Sequence, residues 1–376
     1  MKILIAPDSF KESLSAAEVA DCIETGIKRA DPRLDCIKIP MADGGEGTVS
    51  SVISATSGVI IKVNALDPIQ REIDSFYGLT GDGQTAVIEM AAASGLERLK
   101  TGERNPAITS SYGTGQLIAS AVKNGIKKII IGLGGSATND GGAGMAEALG
   151  VLFFDRDHSI IHPAGGNLNQ IAEMDITGLS PEINTVSFTA ATDVNNPLCG
   201  PQGAAYVFSP QKGADYSMVE DLDRNLFHYG KFLEDKFRKS IINQPGSGAA
   251  GGLAASLMAL FDIKIKSGFD ILCDLTGFEE KVKEADLIIT GEGRIDRQTY
   301  YGKTTFGVLK LGYKYKRPVI AITGNAEDSN PPDIPLRFSA IIPIIEKPCT
   351  YDFALANTSR LITITAERII NLISSV

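Results

Sequence analysis

Apolar runs of strand length alternate with helical periodicity at the beginning of the chain. The runs at residues 2–6 and 36–39 enclose a segment, residues 15–30, whose apolar positions recur every three or four residues. Ser13 or Ser15 stands where a helix N-cap is expected. The pattern therefore predicts a buried strand, a capped helix and a second strand, which is how a parallel α/β sheet begins.

The pattern changes near residue 60 and changes back near residue 270. Between these points, runs rich in β-branched residues are separated by hairpin-like turns, at residues 60–65, 72–78 and 85–90. Beyond them a buried strand, further strands and a closing amphipathic helix restore the first pattern. We therefore predict an α/β fold of two domains: residues 1–60 with 270–376 form one, and residues 61–269 form an inserted mixed-sheet domain.

Composition restricts the class of protein. The chain has 376 residues, 43% of them hydrophobic, and 39 glycines, which suits a loop-rich globular protein. A net charge of −9 argues against a nucleic-acid or membrane surface. Five scattered cysteines without a C-x-x-C spacing, and no signal peptide, predict a cytoplasmic protein with reduced thiols. Three histidines, with neither H-E-x-x-H nor G-x-S-x-G, argue against a zinc enzyme or a serine hydrolase.

The stretch IIIGLGGSATNDGGAGM, residues 129–145, carries the strongest chemical signal. It predicts a strand, a loop in which few Cβ atoms block the backbone, and a helix N-terminus. Backbone N–H groups and a helix dipole in this arrangement favour an anion, so the loop predicts a phosphate or nucleotide site. The candidate residues are Gly134, Gly135, Ser136, Thr138, Asn139, Asp140 and Gly141.

Two other readings of this loop remain open. Glycines at a strand-to-helix turn also serve tight packing alone. Gly132-x-Gly134-x-x-Ala137 also fits the dinucleotide fingerprint, and Asp155 lies 23 residues after Gly132, near the spacing expected of a ribose-binding acid. The loop alone therefore does not separate a kinase from a nicotinamide enzyme.

Charged and polar residues, with two glycines between them, follow the other predicted strands, where ligands of open parallel sheets bind. They are Asp8, Ser9, Lys11, Asp43, Gly44, Gly45, Glu46, Asp193, Asn195, Glu292, Arg294, Asp296 and Gln298. Asp43 and Glu46 suit Mg²⁺ or helix caps, and Asp193 suits catalysis or an Asx-turn. Lys212 and the pair Gly302-Lys303 are candidate anion contacts. The pair is not a Walker A motif, because Arg297 stands where that motif needs a glycine.

Motifs along nearly the whole chain resemble the bacterial glycerate kinase family. They are APDSFKESLSA, ADGGEGT, GLGGSATNDGGAGM, DVNNPLCGPQGAAYVFSPQKGA, PGSGAAGGL and DLIITGEGRIDRQTYYGKT. Glu12 departs from the pattern, which has glycine there. The resemblance implies a discontinuous flavodoxin-like, doubly wound domain, an inserted α/β domain, and an active site in the cleft between them. It also implies phosphorylation of D-glycerate by ATP and Mg²⁺, with 2-phosphoglycerate as the expected product and 3-phosphoglycerate as the alternative.

Phosphoryl transfer needs an anion cradle, carboxylate-held Mg²⁺, cations and a base, and this chemistry divides the candidates by role. Catalysis falls to Asp193, Lys11, Arg294 and Asp296. Nucleotide binding falls to the seven loop residues, Lys212, Gly302 and Lys303. Substrate binding falls to Asp8, Ser9, Asp43, Gly44, Gly45, Asn195 and Gln298. Metal binding falls to Asp43, Glu46, Asp193 and Glu292.

Two further classes of protein remain as alternatives. A 2-hydroxy-acid dehydrogenase would need one fingerprint and a proton relay, but not six acidic residues on glycine-rich loops. A nucleotide-binding sensor would not need so many reactive groups on separate loops. A homodimer is retained as a candidate assembly.

Overall fold

A computed structural model of the chain describes residues 1–42, 47–301, 304–327 and 335–375, without the side chains of Gln298 and Tyr301. Its contacts divide the chain into two compact units. The first unit comprises Met1–Asp43, Ser50–Ser57 and Gly268–Val376. The second unit comprises Gly44–Val49 and Gly58–Ser267.

The strands and helices follow in chain order. The strands are β1 (Lys2–Ile5), β2 (Asp35–Lys38), β3 (Val59–Leu66), β4 (Glu72–Leu79), β5 (Thr85–Glu89), β6 (Lys128–Gly132), β7 (Leu152–Phe154), β8 (Ile160–Ile161), β9 (Glu173–Asp175), β10 (Ser187–Ala191), β11 (Ile263–Lys266), β12 (Leu287–Ile295), β13 (Val319–Ala326) and β14 (Ala340–Pro343). The α-helices are α1 (Ala16–Ala30), α2 (Thr48–Thr56), α3 (Ala91–Ser94), α4 (Tyr112–Lys123), α5 (Ala143–Ala148), α6 (Ala204–Phe208), α7 (Tyr216–Phe237), α8 (Leu253–Leu260), α9 (Gly268–Thr276), α10 (Phe278–Glu284), α11 (Thr304–Lys314) and α12 (Tyr351–Ser374). Short 3₁₀ helices lie at Leu96–Arg98, Thr101–Glu103, Leu168–Gln170, Pro181–Thr185, Pro210–Lys212 and Arg297–Tyr301.

A parallel sheet forms the centre of the first unit. Its described strands lie in the order β14-β13-β12-β1-β2, and every neighbouring pair is parallel. Numbered within the unit this is the order 2-1-3-4-5, the doubly wound order of flavodoxin-like folds. Apolar residues of the strands, such as Ile5 and Ile289, pack with α1 and α12 in one buried cluster. Ser15 caps α1 in a capping box with Glu18, as the sequence pattern predicts for Ser13 or Ser15.

A mixed sheet forms the centre of the second unit. Its described strands lie in the order β11-β10-β6-β5-β4-β3. β3, β4 and β5 are antiparallel neighbours, whereas β5, β6, β10 and β11 are parallel. A smaller antiparallel sheet, β8-β7-β9, lies beside a second buried cluster in the same unit. The predicted α/β class, with a parallel sheet and a separate mixed sheet, is confirmed.

The structure differs from the sequence-based elements at several places. β11 was not predicted, and α4 begins three residues before the predicted helix, residues 115–123. α7 ends at Phe237, although the apolar pattern continues to residue 242, because Arg238 adopts a positive φ of 56°. Among the described residues, no helix combines the length and apolar character needed to cross a membrane.

Candidate active site

The glycine-rich loop of the second unit joins β6 to α5. Neighbouring backbone holds it along its length: Leu96 N donates to Gly135 O (2.8 Å), and Ala137 N donates to Ser94 O (2.9 Å). Gly134 and Gly135 are the accessible part, and the rest of the loop through Gly142 is buried. Any ligand that binds this loop from outside therefore meets the backbone of Gly134 and Gly135 first.

Asp140 lies inside the protein and organises the loop. Its Oδ2 accepts hydrogen bonds from Ser111 N and Ser111 Oγ, both at 2.7 Å, and from Gly144 N at 3.3 Å. Its Oδ1 accepts from Gly142 N at 3.1 Å. Burial raises the pKa of Asp140, and these four hydrogen bonds oppose the rise because they favour the carboxylate. The carboxylate that was predicted to bind nucleotide thus fastens the loop to Ser111.

Lys212 braces the same loop from within. Its side chain is 1% exposed, and Nζ donates to Ser136 Oγ (2.8 Å) and to Thr138 O (2.7 Å). Burial lowers the pKa of Lys212 to about 7, and the nearby charge of Asp140 opposes this. An ammonium in this position supports the loop from behind rather than meeting an incoming ligand.

Thr138 and Asn139 are fully buried between these two anchors. Thr138 Oγ1, Asn139 Oδ1 and Asn139 Nδ2 have no hydrogen-bond partner among the described residues. Buried polar atoms of this kind usually bind protein groups or ordered water. A bound water or ligand atom that supplied the missing hydrogen bonds would stabilise the loop most at these atoms.

The glycines of the loop serve two different purposes. Gly142 has a positive φ of 78°, and a Cβ added there would lie 2.8 Å from Leu253 O, so packing against α8 requires glycine. Gly251 supports the loop from the other side, because an added Cβ would overlap the carbonyl oxygen of Thr138. The packing interpretation thus holds for this end of the loop. The ligand interpretation applies to Gly134 and Gly135, which are accessible.

The sequence did not reveal one segment that shapes this loop, ITSSYGTG at residues 108–115. Thr109 Oγ1 donates to Ala137 O (2.9 Å), and Ser111 Oγ also accepts from Met145 N (2.9 Å). The segment therefore joins the loop to the first turns of α4 and α5. Its signal was local, four serine and threonine residues with two glycines at the start of a helix, but only the helix itself was recognised.

A row of residues crosses the carboxyl edge of the parallel strands. Glu89 pairs with Gly132, Gly132 with Ala191, and Ala191 with Lys266. Each ladder continues one step further, since Met90 N, Leu133 N and Thr192 N donate to the next strand, each at 3.0 Å. We call the four paired residues Glu89, Gly132, Ala191 and Lys266 the edge row.

The edge row contains an acid that sequence reasoning missed. Glu89 is 8% exposed and accepts a hydrogen bond from Val49 N at 2.7 Å. Its signal was an acidic residue ending the apolar run of β5. Asp193 and Asn195, which were predicted as site residues, come shortly after Ala191, the last residue of β10, and both are exposed. The loop and Asp193 therefore leave the sheet at the same edge.

The first unit carries a second group of predicted residues. Asp8 N donates to Gly291 O at 2.8 Å, which continues the pairing of β1 with β12 and brings Asp8 beside Glu292. Glu292 is buried, whereas Asp8 is half-buried and accepts from Ser9 N (2.6 Å). Lys11 is exposed, and its backbone N lies 3.7 Å from the position of a Cβ on Gly293. The loop after β1 and the end of β12 therefore lie together.

Arg294 is paired with acids of its own unit. It lies 2.5 Å from Glu327 and 3.3 Å from Asp296, and its side chain is 57% exposed. The exposed guanidinium keeps a planar face that suits a carboxylate. The predicted residues Asp43, Gly44, Gly45, Glu46, Gly302 and Lys303, and the side chain of Gln298, lie outside the described residues.

The donor set of the first unit suits a hard cation. Asp8 and Glu292 offer carboxylate oxygens from neighbouring strands, and Mg²⁺ binds proteins through one or two carboxylates together with substrate phosphates. Across the described ranges, no three His, Cys, Asp or Glu side chains gather into a complete metal site. Asp8 and Glu292 could therefore supply carboxylate ligands to a Mg²⁺, which would need further ligands from other groups.

The dinucleotide reading of the loop is not supported by the position of Asp155. Its Oδ1 accepts from Asp157 N (2.8 Å) and Ser159 N (2.9 Å) in the turn after β7. β7 belongs to the small antiparallel sheet, not to the parallel strands that carry the loop. In a dinucleotide-binding fold the acid ends the neighbouring parallel strand, where it can reach a ribose.

The fold and the loops define an α/β protein of two units, with a glycine-rich loop between a strand and a helix and with carboxylates at strand ends. The model of the glycerate kinase family matches residues 3–374. A glycerate kinase of Bacillus subtilis (strain 168) is 50% identical over 331 residues, 88% of this chain and 87% of that protein. The glycerate 2-kinase of Escherichia coli (strain K12) is 47% identical over 328 residues, 87% of this chain and 86% of that protein.

A solved structure agrees with these sequence relatives. A crystal structure from Salmonella typhimurium LT2, provisionally described as glycerate kinase 2, matches with a TM-score of 0.90 and 43% identity. The match covers 100% of this chain and 98% of that one. The chain belongs to the glycerate kinase family, and the predicted resemblance is confirmed.

Proposed function

We propose that this protein transfers the γ-phosphoryl group of ATP to the 2-hydroxyl of D-glycerate and releases ADP and 2-phosphoglycerate. The observation that carries the proposal is the accessible backbone of Gly134 and Gly135 beside exposed Asp193, in a chain that matches the glycerate kinase family over residues 3–374. The relative from Escherichia coli, named a glycerate 2-kinase, favours O2 over O3 as the acceptor.

The nucleotide binds through the glycine-rich loop in this proposal. The backbone of Gly134 and Gly135 receives phosphate oxygens, because no side chain of these residues stands in the way. Ser136 and Thr138 are held by Lys212, and Asp140 is held by Ser111, so the loop keeps one shape before the ligand arrives. A preorganised loop loses less conformational freedom when phosphate binds.

Asp193 accepts the proton of the glycerate hydroxyl or orients that hydroxyl for attack. It ends an apolar strand, it is exposed, and the amide of Asn195 follows two residues later. A Mg²⁺ held beside the phosphates would neutralise charge on the transferred phosphoryl group. Asp8 and Glu292 are its candidate ligands among the described residues, with Asp43 and Glu46 as predicted ones.

In this proposal Arg294, in the first unit, binds the carboxylate of glycerate. Lys11 and Lys303 bind phosphate. These residues belong to the predicted discontinuous domain, and the glycine-rich loop belongs to the predicted inserted domain. The other predicted substrate residues are Asp8, Ser9, Asp43, Gly44, Gly45, Asn195 and Gln298. A homodimer and a cytoplasmic location stay predictions. Light scattering of the purified chain would test the homodimer.

Release of ADP tests this function against its alternatives. The purified chain, ATP and Mg²⁺ are incubated separately with D-glycerate, L-glycerate, lactate and no acceptor. We expect the fastest ADP release with D-glycerate. Lactate keeps the acceptor 2-hydroxyl but lacks the 3-hydroxyl, so it should bind less well and react more slowly. Rapid reduction of NAD with any of these acids, or ATP binding without turnover on any of them, would instead favour a dehydrogenase or a sensor.

A further inference from the structure

The phosphates of a nucleotide need positive charge near the loop that receives them. Lys212 is the cation that the sequence predicts for this task in the second unit. Its ammonium is buried and already donates to Ser136 Oγ and Thr138 O. Lys212 therefore stabilises the loop from inside, and the accessible side at Gly134 and Gly135 requires another cation.

The edge row brings one lysine to that side. Lys266 is the last residue of β11 and pairs with Ala191, which in turn pairs with Gly132 at the start of the loop. The hydrogen bond from Thr192 N to Lys266 O (3.0 Å) continues this pairing to the residue that precedes Asp193. Lys266 thus ends its strand level with the beginning of the loop.

The residues between Lys266 and the loop are small. Paired residues of parallel strands project to the same face of a sheet, so Lys266, Ala191 and Gly132 share one face. Two strand spacings separate Lys266 from Gly132, about 10 Å between Cα atoms. Within the edge row only a methyl group and a hydrogen stand between them. The Lys266 side chain is half-buried, and lysine carries its ammonium on a four-carbon stem, which suits contact with a ligand that lies between this strand and the loop.

We propose that Lys266 binds phosphate oxygens of the nucleotide held at Gly134 and Gly135. The inference deepens the proposed function and rests on it, since it names a phosphate-binding cation of the same site. An ammonium suits this task as a compact charge that can follow the phosphates during transfer. Lysine at the edge of a sheet also discourages pairing with other chains, so the test must separate these two roles.

Lys264 provides a matched control. It lies on the same strand and the same face, two residues before Lys266, and its side chain is exposed. Lys264→Met removes the same charge from the same edge strand, at about 7 Å from the carboxyl end. A role in edge protection would make the two variants alike, whereas phosphate binding would affect Lys266 alone.

The experiment measures the Kd of ATP by calorimetry and the KM of each substrate in wild type, Lys266→Met, Lys266→Arg and Lys264→Met. We expect Lys266→Met to weaken ATP binding about tenfold or more, the loss typical of one charge-assisted hydrogen bond. Lys266→Arg should recover most of the affinity, and Lys264→Met should stay within about twofold of wild type. Lys266→Gln replaces Lys266→Met if the latter does not fold.

Three results would overturn the inference. Equal effects of Lys266→Met and Lys264→Met would assign Lys266 to edge protection. A change confined to the KM of glycerate would mean that Lys266 does not contact the nucleotide. Unchanged ATP binding in Lys266→Met, in a chain that phosphorylates glycerate, would refute the inference and leave the proposed function intact. A wild-type chain that neither binds ATP nor phosphorylates glycerate would refute both.

Discussion

Ser111 donates two hydrogen bonds to one oxygen of Asp140, from its backbone N and from its Oγ, each 2.7 Å long. The two residues are 29 positions apart, and both are fully buried. The same Ser111 Oγ accepts from Met145 N in α5. The pair therefore connects two helix N-termini to the glycine-rich loop, and the shape of the loop depends on it.

Removing this connection should destabilise the protein. Ser111→Ala leaves Oδ2 of Asp140 short of a donor and Met145 N without its acceptor, and both groups are buried. We expect a loss of about 2 kcal/mol in the free energy of unfolding, measured in urea. Ser217→Ala removes a similar hydrogen bond, to Asp215, at an exposed site and should cost less than about 0.5 kcal/mol. Equal losses in the two variants would mean that the Ser111–Asp140 contact contributes no more to the free energy of unfolding than an exposed hydrogen bond does.

Lys212 should give the stability of the protein a particular pH dependence. Its pKa is about 7 when folded and has its ordinary value of 10.5 when unfolded, so the unfolded chain binds more protons between these values. The contribution of Lys212 to the free energy of unfolding therefore rises with pH from about 7 toward 10.5.

The corresponding measurement follows unfolding in urea between pH 6 and 9. Lys212→Met should reduce the increase in stability above pH 7, whereas Lys236→Met, at an exposed position of α7, should not. A wild-type profile that parallels that of Lys212→Met would show that the ammonium is not desolvated in the folded protein.

The two kinds of glycine in and around the loop should respond differently to substitution. Gly134→Val adds bulk at the accessible backbone, so we expect ATP binding to weaken at least tenfold while the melting temperature changes little. Gly251→Ala brings a methyl group onto the carbonyl of Thr138 at a residue with φ of 65°, and should lower stability. Calorimetry and thermal unfolding of both variants measure this contrast. Loss of folding in Gly134→Val would show that this glycine, too, serves packing.

Glu12 occupies a backbone conformation that favours glycine. Its φ is 64°, a left-handed value that glycine adopts without strain, and the family resemblance led us to expect glycine here. Relief of the left-handed strain outweighs the added flexibility of the unfolded chain, so Glu12→Gly should stabilise by about 0.5–1 kcal/mol. Glu12→Ala is the control, because it also removes the hydrogen bond from Tyr351 but keeps the strain. If Glu12→Gly and Glu12→Ala both destabilise the protein, the contacts of the Glu12 side chain matter more for stability than its backbone conformation.

The sequence predicted those parts of the site that local order determines. The strand, the glycines and the helix around Gly134 are contiguous, so their pattern is visible in one stretch of chain. The capping box of Ser15 and Glu18 is local in the same way. The motifs that resemble the family are also contiguous stretches, so they too are visible in the sequence.

Other parts of the site depend on contacts between distant residues. Ser111 meets Asp140, and Lys212 meets Ser136 from 76 positions away, so neither contact has a signature in sequence spacing. Lys266 reaches the site through strand register, and β11 itself has only four residues, two of them lysines. A short edge strand with alternating charge resembles a loop until its partner is known.

The regiochemistry of the product tests the central claim most directly. D-Glycerate is incubated with ATP, Mg²⁺ and the purified chain, and the product is identified by ³¹P NMR with authentic 2- and 3-phosphoglycerate added in turn. We expect a resonance that coincides with 2-phosphoglycerate, together with one equivalent of ADP. A resonance that coincides with 3-phosphoglycerate would contradict transfer to O2. The absence of any phosphorylated glycerate, from a folded chain supplied with ATP and Mg²⁺, would contradict the proposed reaction itself.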